Sequence, residues 1–231
     1  MLTPNIPCIY TDKLKYEVND KIFKINDQTC YIAFPLKFYL DAESKIIEEE
    51  ETYYLKEMYN YFNISNGNKH NINKIKIKDC VKQKIKKYLR NNNLDKFIFL
   101  SQSATTCKNI PEDFWQKLKD KINLKIIRNS KNFTIDEAYY LSKRAATEIS
   151  LRSGLSEILA ESNNPHIILY TDFKNRYKFK DICAQKIIKG YSIKTMEPDK
   201  SNIYELAYNP ENEDAIIEEI VNTIRKKETV K

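Results

Sequence analysis

The sequence predicts an α/β protein built on a doubly wound, mainly parallel sheet with helices on both faces. Two observations carry this. Short, continuous apolar runs recur at 97–100 (FIFL), 125–127 (KII), 149–151 (ISL) and 167–170 (IILY). Uninterrupted runs of this kind mark strands buried on both faces. Helix-patterned segments of roughly ten to fifteen residues separate them, the length a crossover between parallel strands requires. The four runs are therefore expected as adjacent parallel strands of one sheet.

In chain order, TCYIAFP (29–35) reads as a strand closed by proline, and 42–62 carries a long helical period. A polar connector follows at 63–73. KIKI (74–77) alternates as a short edge strand does, and CVKQKIKKYLRNN (80–92) supplies a helix with Val81, Ile85, Tyr88 and Leu89 on one side. After the strand at 97–100, PEDFWQKLKDKI (111–122) opens a helix with proline and two acids, which suit its first turn. In TIDEAYYLSKRAA (134–146), Thr134 and Glu137 stand at capping-box spacing. EISL, an Arg-Ser-Gly turn, a helix over 155–162 and the strand HIILYT come next. Beyond these lie a basic loop (172–181), a short helix (182–188), a final strand or extended piece (202–208) and a carboxy-terminal helix (212–227). That last helix carries acids in its first turn and bases in its last. Residues 95–231 thus read as one Rossmann-like unit, and 1–94 as a reduced or partial amino-terminal region with connecting elements.

The composition is that of a globular chain. Of 231 residues, 42% are hydrophobic and 31% charged, which excludes an intrinsically disordered segment. A net charge of +7 favours anionic partners without choosing among them. The five cysteines are odd in number and never spaced as CxxC, so neither a disulfide framework nor a zinc site is expected, and no metal is assigned. No apolar run reaches the length of a membrane helix, and the start MLTPNIPCIYTDK lacks the pattern of a signal peptide. A cytoplasmic location, peripheral to the inner membrane face at most, is expected.

In doubly wound sheets, ligands bind beyond the carboxyl ends of the strands. Three tips stand out: SQSATTCKN after FIFL, RSG after EISL, and TDFKN after HIILY. Ser101, Ser103 and Thr105 are hydroxyls suited to phosphate or ribose, though a polar loop also uses such residues for its own backbone. At the second tip, Arg152 offers a planar guanidinium, Ser153 a cap, and Gly154 a close backbone approach just before Leu155. Together they suit a diphosphate. Truncation of Arg152 is expected to weaken diphosphate binding while leaving the fold largely intact, since no core group is lost.

The segment FIFLSQSATTCKNIPEDFWQKLKDKINLKIIRNSKNFTIDEAYYLSKRAATEISLRSGLSEILAESNNPHIILYTD resembles the carboxy-terminal, donor-binding half of bacterial two-domain (GT-B type) glycosyltransferases. These act on lipopolysaccharide, capsule or O-antigen sugars. The match rests on a strand ending in a small polar loop, a Pro-x-x-Phe-Trp-like helix, and an Arg-Ser-Gly turn opening the helix beneath the donor phosphates. The resemblance implies that Ser101, Ser103, Thr105, Arg152, Ser153, Gly154 and Leu155 face a nucleotide-diphosphate sugar. In it Arg152 stabilises phosphate charge as the sugar is transferred to an acceptor hydroxyl of a saccharide or glycolipid. No further cofactor is implied. The chain is shorter than complete enzymes of that type, so an amino-terminal-domain partner protein is implied as well.

The general base remains unknown. Asp41 and Glu43 follow the first strand, where a helix cap serves equally well, and His70 and His166 read better as a surface and a packed histidine. Two further readings stay open. One is a noncatalytic nucleotide- or partner-binding protein of the same fold. The other is a basic nucleic-acid-binding protein, less favoured because no recognisable motif accompanies the lysine runs.

Overall fold

The computed structural model describes residues 18–19, 22–26, 29–32, 77–105, 107–129, 133–173, 182–196 and 200–228. The chain divides into two compact units, Met1–His70 and Asn71–Lys231. In the first, β1 (Val18–Asn19), β2 (Ile22–Asn26) and β3 (Thr29–Ile32) form an antiparallel sheet in that order. Of the run expected as a strand at 29–35, residues 29–32 form one, paired to their sequence neighbour, and 33–35 lie outside the described residues. The helix expected at 42–62, the connector at 63–73 and the residues Asp41, Glu43 and His70 lie outside the described residues.

The second unit begins with α1 (Asp79–Asn91) and continues through β4 (Phe97–Ser101), α2 (Glu112–Lys121), β5 (Lys125–Arg128), α3 (Ile135–Ser142) and β6 (Thr147–Leu151). Then come α4 (Gly154–Leu159), β7 (His166–Tyr170), α5 (Ala184–Tyr191), α6 (Ile193–Met196), β8 (Ile203–Ala207) and α7 (Glu213–Glu228). The five strands form one sheet in the order β5-β4-β6-β7-β8, and every pairing is parallel. The four apolar runs are its four consecutive neighbours, as their spacing predicts, and β8 adds the far edge.

Alternation along the strands sends side chains to two cores. Ile98, Leu100, Ile149, Leu151, Ile167 and Leu169 pack beneath Phe114, Trp115 and Leu118 of α2 and the isoleucine face of α7. Phe97, Phe99 and Ile127 face the other way, against Ile85 and Leu89 of α1, Ala138 and Leu141 of α3, and Leu159 of α4. Helices thus cover both faces, which defines the doubly wound class. The first core is ordered further by Phe114, whose ring meets Trp115 and Tyr208 edge-on at centroid distances of 5.0 and 5.4 Å. Such geometry favours the aromatic quadrupoles.

Caps fix where the helices start. Thr134 Oγ1 accepts from the Glu137 amide while the Glu137 carboxylate accepts from the Thr134 amide, both halves of the expected box. Pro111 stands at the N-cap of α2 with ψ near 148°, so the helix begins at Glu112 and the proline lies just outside its first turn. Among the described residues, no helix is long and apolar enough to cross a membrane.

Candidate functional site at the carboxyl edge of the sheet

Strand order reverses at β4, whose neighbours β5 and β6 both follow it in sequence. Successive connections leave in opposite directions at such a point and open a crevice at the carboxyl ends of the strands. Ser101 ends β4 opposite Ser150 of β6 and is buried, whereas Ser103 and Thr105 in the following loop are exposed.

That loop is tied across the edge. The Cys107 thiol donates to the Arg152 carbonyl at 3.2 Å, which joins the tip of β4 to the tip of β6. Cys107 also forms an antiparallel bridge with Phe173, beyond β7. The Lys108 amide donates to the Asp172 carbonyl at 2.8 Å, and the Thr171 hydroxyl donates to the Lys108 carbonyl at 2.6 Å. The loop after β4 is therefore a strap over β6 that ends at β7. It brings two of the expected tips, at 101–107 and 152–154, into direct contact.

Arg152 is built into the fold, against the expectation that its truncation removes no core group. It is buried, at 7% exposure. Its Nε donates to the Tyr191 carbonyl (3.1 Å), Nη1 to the Ser153 carbonyl (3.0 Å) and Nη2 to the Glu157 carboxylate (2.7 Å). Tyr191 is the last residue of α5, where unpaired carbonyls and the helix dipole favour a cation. Burial alone would lower the Arg152 pKa, but the Glu157 carboxylate beside it contributes to a value that is raised on balance. Glu157 is 44% exposed, so one of the guanidinium's three partners reaches water.

Ser153 caps α4 as expected: its hydroxyl accepts from the Ser156 amide, and the Ser156 hydroxyl accepts from the Ser153 amide. Gly154 is the first helical residue, and no described glycine has positive φ. It is therefore not there for a left-handed turn. Leu155 packs against the core on the α1 and α3 side of the sheet.

A cleft of about 370 Å³ opens beside this point, at the tips of β7 and β8, and is lined by Lys108, Asn109, Thr171, Asp172, Tyr208 and Asn209 among others. Asp172 is its main acidic group. One carboxylate oxygen accepts from the Ala184 amide at the start of α5 (3.1 Å), and the other lies 3.4 Å from Lys108 Nζ. None of Ser101, Ser103, Thr105, Arg152, Ser153, Gly154 or Leu155 lines the cleft. Its advance signals are two of the expected polar tips, SQSATTCKN, which supplies Lys108 and Asn109, and TDFKN, which supplies Thr171 and Asp172. The partners from β8 and its exit lie too far along the chain for spacing to reveal.

Beneath the edge, Glu205 of β8 accepts from the Tyr170 hydroxyl, the Ser192 hydroxyl and the Ile193 amide, at 2.5, 2.5 and 2.7 Å. Tyr170 also reaches the Tyr191 carbonyl that Arg152 holds, and its burial pushes its pKa far up. This network joins the junction of α5 and α6 to the sheet below Arg152. His166 is fully buried at the amino end of β7 with Nε2 2.8 Å from Ser150 Oγ, remote from the carboxyl tips. No family model matches the chain, and neither does any curated protein.

Proposed function

We propose that the second unit binds a nucleoside diphosphate sugar at the carboxyl edge of its parallel sheet and acts as the donor half of a glycosyltransferase in surface-polysaccharide synthesis. The reading is carried by the reversal of strand order at β4, with the loops after β4 and β6 in contact there and a buried guanidinium beneath them. Arg152 is positioned in advance, because Nε and Nη1 are held by carbonyls while Nη2 is paired with an exposed carboxylate. A diphosphate approaching Ser153 and Gly154 competes with Glu157 for Nη2, and Glu157 is free to turn to water. The exposed hydroxyls of Ser103 and Thr105 offer further hydrogen bonds.

In transfer, the acceptor hydroxyl oxygen forms a bond to the anomeric carbon as the bond from that carbon to the phosphate oxygen breaks. The electron pair departs on the diphosphate. Fixed positive charge stabilises that developing charge. The hydroxyl proton needs a base, which this reading assigns to the acceptor side, supplied by the amino-terminal region or by a partner protein. Saccharides or glycolipids serve as acceptors, at the cytoplasmic membrane face. A noncatalytic binding role on the same fold is favoured by one observation: His166, the histidine among the described residues, is buried and bonded to Ser150.

Calorimetric titration with a panel of nucleoside diphosphates and nucleotide sugars tests the proposal. Saturable binding of a diphosphate supports it. Tight RNA or DNA binding with no nucleotide response replaces it with the nucleic-acid reading.

A further inference from the structure

Glu148 of β6 lies directly opposite His166 of β7 in the parallel register, and alternation puts Ser150 on the same face. All three are fully buried. His166 Nε2 is 2.8 Å from Ser150 Oγ, and His166 Nδ1 is 3.8 Å from Glu148 Oε2. Those last two atoms have no hydrogen-bond partner, while the other Glu148 oxygen accepts from the Ser162 hydroxyl. A carboxylate and an imidazolium taken out of water together need close, bonded contact to offset their desolvation. Here the facing atoms are too far apart for it.

One assignment of protons suits these atoms without burying a net charge. Glu148 is protonated on Oε2 and turns that proton toward the lone pair of Nδ1, and the Nε2 proton of His166 is donated to Ser150 Oγ. Closing the remaining gap needs a shift of roughly 1 Å. We propose that Glu148, His166 and Ser150 form an uncharged carboxyl–imidazole–hydroxyl chain, a latch between β6 and β7 that holds at mildly acidic pH and weakens on both sides of that window.

The surroundings agree. The Ser162 hydroxyl after α4 bonds the Glu148 carboxyl, the Ser142 hydroxyl of α3 is given to the Tyr139 carbonyl, and no cation contributes to holding Glu148 ionised. Tyr139 of α3 faces Glu148 and Glu161. Lys200 Nζ donates to the Ala160 carbonyl and the Glu161 carboxylate, and its charge disfavours a second proton on His166. Burial raises the Glu148 pKa from 4.5 to about 8 and lowers that of His166 from 6.5 to about 3. Folding thus retains a proton on Glu148 that the unfolded chain releases, so this contribution is full below about pH 4.5 and is lost as pH rises toward about 8. For His166 the folded value lies below the unfolded one. Its contribution is full above about pH 6.5 and is lost as pH falls toward about 3.

The sequence contains only two histidines, so nitrogen-15 NMR of the full chain, with His70→Gln for assignment, reads His166 directly. The expected result is a neutral ring protonated on Nε2 and unchanged from about pH 5 to 7; an imidazolium, an Nδ1-protonated ring or a titration near pH 6.5 in that range overturns the proposal. Glu148→Gln keeps the neutral bonds, since its amide donates to Nδ1 and accepts from Ser162. In urea unfolding, the wild-type unfolding constant should rise relative to this variant by about tenfold per pH unit between pH 4.5 and 8. Parallel pH profiles, or a Gln variant that does not fold at any pH, contradict it.

Discussion

Glu148 and Ser150 lie in β6 and Arg152 follows just beyond it, yet the polar groups at the two ends of the strand meet different surroundings. At the amino end, Glu148 and His166 are closed off from solvent at 0% exposure. At the carboxyl end, the guanidinium of Arg152 is also buried, but it is bonded to a glutamate that is 44% exposed. A sealed cluster can change charge only by straining the fold. A buried cation with a solvent-facing counter-ion can exchange that ion for a ligand at little cost to the core. The comparison separates a structural polar group from a binding one more sharply than residue type does, since both ends hold charges of the kind found in active sites.

Variants can break this contrast, beginning with the sealed end. His166→Ala leaves a cavity and removes the partner of the Ser150 hydroxyl, so it should cost about 3–5 kcal/mol in urea unfolding. Next is Arg152→Ala, which removes a charge-assisted bond to Glu157 and the cation at the end of α5. It should cost about 1.5–3 kcal/mol, and a loss below about 0.5 kcal/mol would mean that the buried bonds of Arg152 contribute little to the fold. Gly154→Val is milder for stability. With Gly154 in a helical conformation, the loss should stay within about 1 kcal/mol, while the added side chain blocks a ligand approaching the turn. Thermal melts of both variants beside wild type separate these expectations. Last is Glu157→Gln, which keeps the packing of an exposed side chain and a neutral acceptor for Arg152 Nη2, so it should cost no more than about 1 kcal/mol, the difference between a charge-assisted and a neutral bond.

The sheet was readable from the chain because strands buried on both faces cannot hide. FIFL and IILY have no polar face to blur them, and the helices between them leave few topologies. The Thr134–Glu137 box was readable for the same local reason, as both partners lie within one turn. Arg152 was not. Its burial comes from the Tyr191 carbonyl, 39 residues away, and no local pattern announces where α5 ends. Glu148 was harder still, since nothing in the run EISL marks it as buried. Its burial depends on His166 and Ser162, placed by pairing and by a helix end. The cleft at Asp172 draws its walls from the loop after β4 and the exits of β7 and β8, a convergence that belongs to the topology. What the sequence reading located well was position along the chain; what it lacked was which tips meet.

The central claim, that the carboxyl edge at Arg152 takes a diphosphate in exchange for Glu157, is tested most directly by titrating wild type, Arg152→Ala and Glu157→Gln with the same nucleoside diphosphate in one buffer. Removing the competing carboxylate should tighten binding several-fold in Glu157→Gln, and loss of a charge-assisted bond in Arg152→Ala should weaken it by at least about tenfold. Equal affinities for all three proteins would contradict the account and leave Arg152 as the structural cap of α5 alone.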